Sequence, residues 1–220
     1  MASASDDLFA AIDAGDVDRV GAMLDADPSL GMARDHEGVC ALLRARYRLD
    51  RALAEAVKAR VAALDVFEAA TFGDLDRLAV LLETDPGLTD RRSGDGFTAL
   101  HLAAFFGQDD AVRMLLVRGA DADAHGTGWM TGTPLNSAAS AGHASTVDLL
   151  LEAGADPDAV QRGRWTPLHS AAHNGNARTV ELLLAHGADP TTRAGRSPTW
   201  RRKAVTTRRS GRSRRHRDSP

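Results

Sequence analysis

Apolar residues recur at helical spacing in the second half of the chain. The residues concerned are Val112, Leu115 and Leu116, then Val147, Leu150 and Leu151, then Val180, Leu183 and Leu184. Positions i, i+3 and i+4 lie on one face of an α-helix. Each stretch therefore predicts an amphipathic helix that buries one face against a neighbour.

The same short motifs surround each of these predicted helices. The upstream motif reads Thr98-Ala99-Leu100-His101, then Thr133-Pro134-Leu135-Asn136, then Thr166-Pro167-Leu168-His169, at spacings of 35 and 33 residues. A glycine follows at Gly107, Gly142 and Gly175, and a Gly-Ala-Asp tripeptide begins at Gly119, Gly154 and Gly187. A threonine hydroxyl caps a first turn, proline suits the first helical position, and glycine ends a helix in the left-handed conformation. The motifs predict helix–turn–helix units that must stack to bury their apolar faces.

This set of motifs resembles the ankyrin repeat, which has a period of about 33 residues and the signature T-P-L-H-x-A. The match is close in residues 96–190 and looser before them. The resemblance implies an all-α solenoid whose motif histidine bonds within its loop and to the next unit, a bond that Asn136 alters or loses. The residues expected to maintain the repeat are Thr98, His101, Thr133, Pro134, Thr166, Pro167, His169, Gly119, Gly154 and Gly187.

Looser copies of the unit extend the pattern towards the N-terminus. Residues 8–30 and 67–88 keep the helical face and the mid-repeat glycine, at Gly15 and Gly73, without T-P-L-H. One further unit fits between them, although residues 41–60 lack a glycine break. We expect a repeat domain over residues 1–194, followed by a tail at 195–220. The six units of the repeat domain span roughly 6–37, 38–64, 65–95, 96–130, 131–163 and 164–194.

Composition favours a protein of the cytoplasm. The single cysteine, Cys40, excludes an intramolecular disulfide and fits a reducing compartment. The first seven residues contain no apolar run typical of a signal peptide, and no stretch approaches the ~18 apolar residues of a membrane span.

The net charge of −3 is the sum of a strongly acidic segment, residues 1–190, and a strongly basic one, residues 191–220. Residues 191–220 contain eleven Lys or Arg and one acid, whereas residues 1–190 contain sixteen basic and twenty-nine acidic residues. The tail could be a disordered arm that binds nucleic acid or an acidic surface, or simply a solvated, unstructured segment.

The tail could also be the product of a shifted reading frame. Read from the third base of each codon, with mostly G or C there, the tail from Thr199 onwards would encode a series resembling another ankyrin unit. Sequencing the coding DNA tests this.

Contact residues are expected on the loop tips and first helices, the concave surface that ankyrin domains typically use. One row is the residue before the motif, at Phe97, Gly132 and Trp165. A second row is the pair before the mid-repeat glycine, at Thr71/Phe72, Phe105/Phe106, Ser140/Ala141 and His173/Asn174. The candidate partner-binding residues are Phe97, Phe105, Phe106, Trp129, Met130, Trp165, His173 and Asn174. Partial packing of Phe72 and Phe105 between units is an equal alternative.

The sequence gives little indication of a metal site or a dinucleotide-binding site. His169 and His173 have metal-ligand spacing without a third ligand nearby. The glycine-rich loop 126–132, which carries Trp129 and Met130, does not have the dinucleotide-binding spacing. We therefore predict a non-enzymatic interaction scaffold that binds another protein and needs no metal or cofactor. The alternative is nucleic-acid or acidic-surface binding through the tail.

Overall fold

A computed structural model describes residues 3–61, 63–127 and 131–192 of the chain. Over these ranges the chain forms twelve α-helices and, beyond isolated bridges, no β-strand, which confirms the predicted all-α stack of helix pairs. The helices are α1 (Ala4–Ala14), α2 (Val17–Ala26), α3 (Ala41–Tyr47), α4 (Arg51–Lys58), α5 (Val66–Phe72), α6 (Leu75–Thr84), α7 (Ala99–Phe105), α8 (Asp109–Val117), α9 (Pro134–Ala141), α10 (Ala144–Glu152), α11 (Pro167–His173) and α12 (Ala177–Ala185). Short 3₁₀ helices follow α2 and α6, at Pro28–Met32 and Pro86–Thr89. The predictions for Trp129, Met130 and the tail lie outside the described residues.

The helices form two layers. The first helices of the pairs pack in the order α1–α3, then α5–α7–α9–α11, and the second helices pack as α2–α4 and α6–α8–α10–α12. Alanines such as Ala103, Ala104, Ala138 and Ala139 are fully buried in the first-helix layer. Their small side chains allow neighbouring helices to approach closely, so each pair stacks directly on the next.

A side chain caps the N-terminus of the first helix in several of the helix pairs. Thr98, Thr133 and Thr166 each accept a hydrogen bond from the backbone N–H three residues on. In the second unit the buried Cys40 takes this place, and its Sγ accepts from the Leu43 N–H. Asp65 takes it in the third unit. Different residues therefore solve the same problem of unsatisfied N–H groups at a helix start.

The break between α3 and α4 is made without glycine. Leu49 adopts a left-handed backbone conformation with φ 58°, and its side chain is 70% exposed. The corresponding residue is glycine in the neighbouring units, at Gly15 and Gly73, which also have positive φ. Leucine rarely adopts this conformation, so the break could not be recognised from the sequence pattern.

The third unit is recessed on the loop side of the stack. A turn with its own backbone hydrogen bonds precedes α3, at residues 35–40, and another precedes α7, at residues 93–97. The connection from α4 to α5, residues 59–65, contains no such turn in its described part. As a result the turns of the second and fourth units touch: a Cβ added to Gly94 would lie 2.4 Å from the carbonyl carbon and oxygen of Gly38.

This contact predicts that Gly94→Ala lowers the free energy of unfolding by about 1–3 kcal/mol, because a methyl group would collide with backbone. The matched control is Gly21→Ala within α2, where the new Cβ would meet only the Arg60 guanidinium, at 3.5 Å. That change should be neutral or stabilising by up to about 1 kcal/mol. Denaturant titration of both variants measures the difference, and a Gly94→Ala protein as stable as the parent would show that the two turns are not in contact.

Candidate binding surface

A cavity of about 410 Å³ opens in the first-helix layer where the third unit is recessed. We call it the central pocket. Its lining comes from α1, α3, α7, α9 and the turns of the second and fourth units, and includes none of the residues of α5. The lining residues are Asp13, Glu37, Arg44, Tyr47, Arg48, Asp95, Phe97, His101, Leu102, Phe105 and Ser137.

Tyr47 on α3 lines one side of the central pocket, and its neighbour Arg46 packs on aromatic rings outside the lining. The Tyr47 hydroxyl donates a hydrogen bond of 2.6 Å to Asp95 Oδ2, and its ring stacks on Phe106 with centroids 6.1 Å apart. The Arg46 guanidinium lies 4.7 Å from the centroid of the Phe106 ring and 5.4 Å from that of Phe72. The contacts with Asp95 and Phe106 join the second unit directly to the fourth, and the contact with Phe72 joins it to α5.

The expectation that Phe97 and Phe106 face water is wrong. Phe97 is only 4% exposed and lines the inner wall of the central pocket, with its ring 5.6 Å from that of His101. Phe106 is 9% exposed because Tyr47, Arg46 and Phe105 surround its ring. Phe72 and Phe105 are half-buried, which agrees with the alternative of partial packing.

Sequence reasoning missed Tyr47, Arg46 and Asp95. A signal was present for Arg46, since the aligned position of α7 is Ala104, whereas Tyr47 aligns with the similarly large Phe105. Large side chains in a helix layer otherwise filled by alanine indicate that the layer widens there. Tyr47 can bond to Asp95 only because the third unit is recessed. No repeat motif predicts that recess.

His101 has a structural role in the pocket wall. Its Nε2 lies 3.1 Å from the Gly132 carbonyl and therefore donates, so Nδ1 accepts from Thr98. Burial lowers the pKa of His101 to about 4, which keeps the ring neutral. Asn136 makes the equivalent link by donating to the Ala159 carbonyl at 3.3 Å, so the inter-unit bond is altered and not lost.

A second cluster of candidate residues lies around α11, with Trp165 just before the helix and Asn174 just after it. Trp165 is half-buried, and its Nε1 donates to Ser170 Oγ at 2.9 Å. Its ring lies 5.4 Å from that of His169 and 5.9 Å from that of His173. His173 and Asn174 are exposed, and Asn174 donates to the Ser140 carbonyl at 2.8 Å. We call Trp165, His173 and Asn174 the α11 cluster.

Paired charges stand at the rim of the central pocket. Arg44 holds the Asp13 carboxylate with two nitrogens, at 2.9 and 3.0 Å, and lies 3.5 Å from Asp35. The hydrogen bond from Arg44 lowers the pKa of Asp13. Arg48 donates to the backbone carbonyl of Asp13. Both arginines are therefore engaged with the end of α1.

The described part of the chain holds neither a metal-binding cluster nor a membrane-spanning helix. No group of three His, Cys, Asp or Glu side chains there could hold a metal ion. Within the same ranges, no helix has both the length and the apolar character needed to cross a bilayer.

The stacked helix pairs, their capping threonines and their groove define a helical repeat protein of the solenoid class. Residues 66–161 and 131–194 match the family model described as ankyrin repeats (3 copies), and together these matches cover more than half of the chain. The chain belongs to the ankyrin-repeat family.

Two rice proteins (Oryza sativa subsp. japonica) are similar over part of the chain. The probable E3 ubiquitin-protein ligase XBOS31 is 42% identical over 88 residues, and the E3 ubiquitin-protein ligase XB3 is 43% identical over 88 residues. Each match covers 40% of this chain and 19% of the relative. The chain thus spans about a fifth of the length of these curated relatives.

Proposed function

We propose that this chain is an interaction scaffold that binds a partner protein through its first-helix face. Ankyrin repeats generally mediate protein–protein interaction, so the class of function follows from the family. The observation that carries the finer proposal is the central pocket, a concavity of about 410 Å³ lined by Tyr47, Phe97 and Phe105. Concave sites with aromatic walls and a few fixed polar groups are the usual location of binding energy in proteins.

The α11 cluster extends the proposed surface. Trp165 offers a ring fixed by its hydrogen bond to Ser170, beside the exposed His173 and Asn174. The central pocket and the α11 cluster lie in the same helix layer, separated by α9. A partner that contacts both must be extended, which favours a protein over a small molecule.

Binding without catalysis agrees with the surroundings of the buried His101 and Cys40. His101 uses both ring nitrogens in structural hydrogen bonds, which leaves neither free to transfer a proton. Cys40 is 2% exposed, and burial raises the pKa of its thiol, so it is a poor nucleophile. Although two relatives are named ubiquitin ligases, the match covers 19% of their length, and we propose partner binding alone.

Affinity capture with the full chain as bait tests the proposal. The variants Phe105→Ala and Trp165→Ala remove half-buried rings from the first-helix face, while Val117→Ala removes an 85% exposed apolar group from α8 in the other layer. Loss of an aromatic anchor should weaken a genuine partner by about 2 kcal/mol, roughly 30-fold in Kd. Val117→Ala should leave the affinity unchanged.

The Kd of the captured partner for each purified variant shows whether the partner uses the first-helix face. A partner whose Kd is the same for the parent, Phe105→Ala and Trp165→Ala does not use this face. A partner lost only with Val117→Ala would place the interface on the second-helix layer and contradict the proposal.

A further inference from the structure

We infer that the central pocket receives one arginine side chain of the partner protein, with its guanidinium at Asp95. This inference rests on the proposed function and adds the chemistry of the partner. It is carried by the charges and rings that meet in the pocket.

Asp95 is a buried carboxylate without a cation. It is 5% exposed and accepts hydrogen bonds from the Tyr47 and Ser93 hydroxyls. Among the described residues, no lysine, arginine or histidine forms an ion pair with it. Buried carboxylates are normally paired, and a carboxylate offers about four lone-pair sites, of which the two hydroxyls use two. Asp95 therefore retains capacity to accept from a cation that enters the pocket.

The remaining charges leave the pocket negative. Arg44 and Arg48 are both bound to Asp13, and neither forms an ion pair with Asp95. Glu37, which is exposed at the rim, has no ion-pair partner among the described residues. The lining contains three carboxylates against two arginines, and burial keeps His101 neutral. Charge complementarity thus calls for a basic side chain.

The pocket walls favour arginine over lysine. Tyr47, Phe97 and Phe105 supply rings, and Leu102 supplies an aliphatic surface beside them. A guanidinium is planar, stacks on aromatic faces and is less strongly hydrated than an ammonium, so it loses less on entering such a site. The methylene stem of arginine can pack on apolar walls while the charged end reaches a carboxylate.

NMR titration of the full ¹⁵N-labelled chain with N-acetyl-arginine amide tests the inference. We expect saturable shifts of the Phe97, Leu102 and Phe105 amides, and binding at least ten-fold weaker for N-acetyl-citrulline amide, which keeps the shape and lacks the charge. N-acetyl-lysine amide should bind more weakly than the arginine probe. Equal shifts with arginine and citrulline, or no saturable shift, would overturn the inference without the need for any variant.

Two variants sharpen the result. Asp95→Asn should weaken arginine binding at least ten-fold, whereas Asp110→Asn, at an exposed acid of α8, should leave it unchanged. An Asp95→Asn protein that keeps its amide spectrum and binds arginine as well as the parent does would refute the role of Asp95. If Asp95→Asn alters the fold, the comparison of arginine with citrulline on the parent still decides.

One further titration distinguishes an arginine of the partner from the basic tail of this chain as the occupant of the central pocket. The ten Lys and Arg residues at 195–220 could fill the pocket from within the chain, so a full-length variant with glutamine at these ten positions is titrated in parallel. Arginine binding that emerges only in this variant would assign the pocket to the tail and overturn the partner assignment. If a captured partner depends on Phe105 and Trp165 while arginine does not bind, the arginine pocket fails and the proposed function stands. If the partner depends on neither ring, the proposed function fails as well.

Discussion

Leu150→Ala is expected to lower the free energy of unfolding by about 2–5 kcal/mol. Leu150 is fully buried in α10, which packs against α9 of its own unit and against α8 and α12 of the two adjacent units. Truncation leaves a cavity that helices on three sides cannot close without losing their own contacts. Because stability in a solenoid comes from contacts between neighbouring units, the loss affects both interfaces of the fifth unit.

The control is Leu184→Ala, which makes the same truncation at a residue of α12 that is 43% exposed. It should cost less than half as much as Leu150→Ala, because part of the side chain already contacts water. Denaturant titration of the parent and both variants provides the comparison. Equal effects at the two positions would mean that Leu150 is not at a central packing face.

Acidification from pH 7 to pH 4 is expected to cost the protein about 3 kcal/mol through His101 alone. The folded-state pKa is about 4, below the value of about 6.5 in an unfolded chain. Between these values the unfolded state binds more protons than the folded state. The contribution is therefore fully present above pH 6.5 and is lost as the pH falls towards 4.

His101→Asn isolates this effect from that of other titrating groups. Asn136 shows that asparagine can cap the helix and reach the next unit from the same repeat position. The variant should lose less stability than the parent between pH 7 and pH 4, by about 3 kcal/mol. His36→Asn, at an exposed residue, serves as the control. Parallel curves for the parent and His101→Asn would show that His101 is not buried as a neutral ring.

Much of the fold could be predicted because the repeat motifs are local signals. Threonine caps, mid-repeat glycines and helical spacing each act within a few residues, so the helix pairs of the fourth to sixth units followed from the sequence. The second unit was harder, since Leu49 makes a turn that the pattern assigns to glycine.

The binding surface could be predicted only in part. His173 and Asn174 are exposed and Trp165 is half-buried, and their role in binding stays a prediction. The resemblance to ankyrin repeats places Phe97 and Phe106 at exposed positions, which holds only where each unit has its own turn. The third unit lacks one, and α3 packs over the gap, which buries both rings and forms the central pocket. Such a contact joins residues 48 positions apart, as between Tyr47 and Asp95, and no local pattern encodes it.

Hydrogen exchange of the full chain, free and bound to its captured partner, tests the central claim most directly. If the first-helix face binds the partner, binding should slow exchange in residues 41–48, 93–106 and 165–174 and leave α6, α8 and α10 unchanged. Protection confined to α6, α8 and α10, with no change in residues 93–106, would contradict the account.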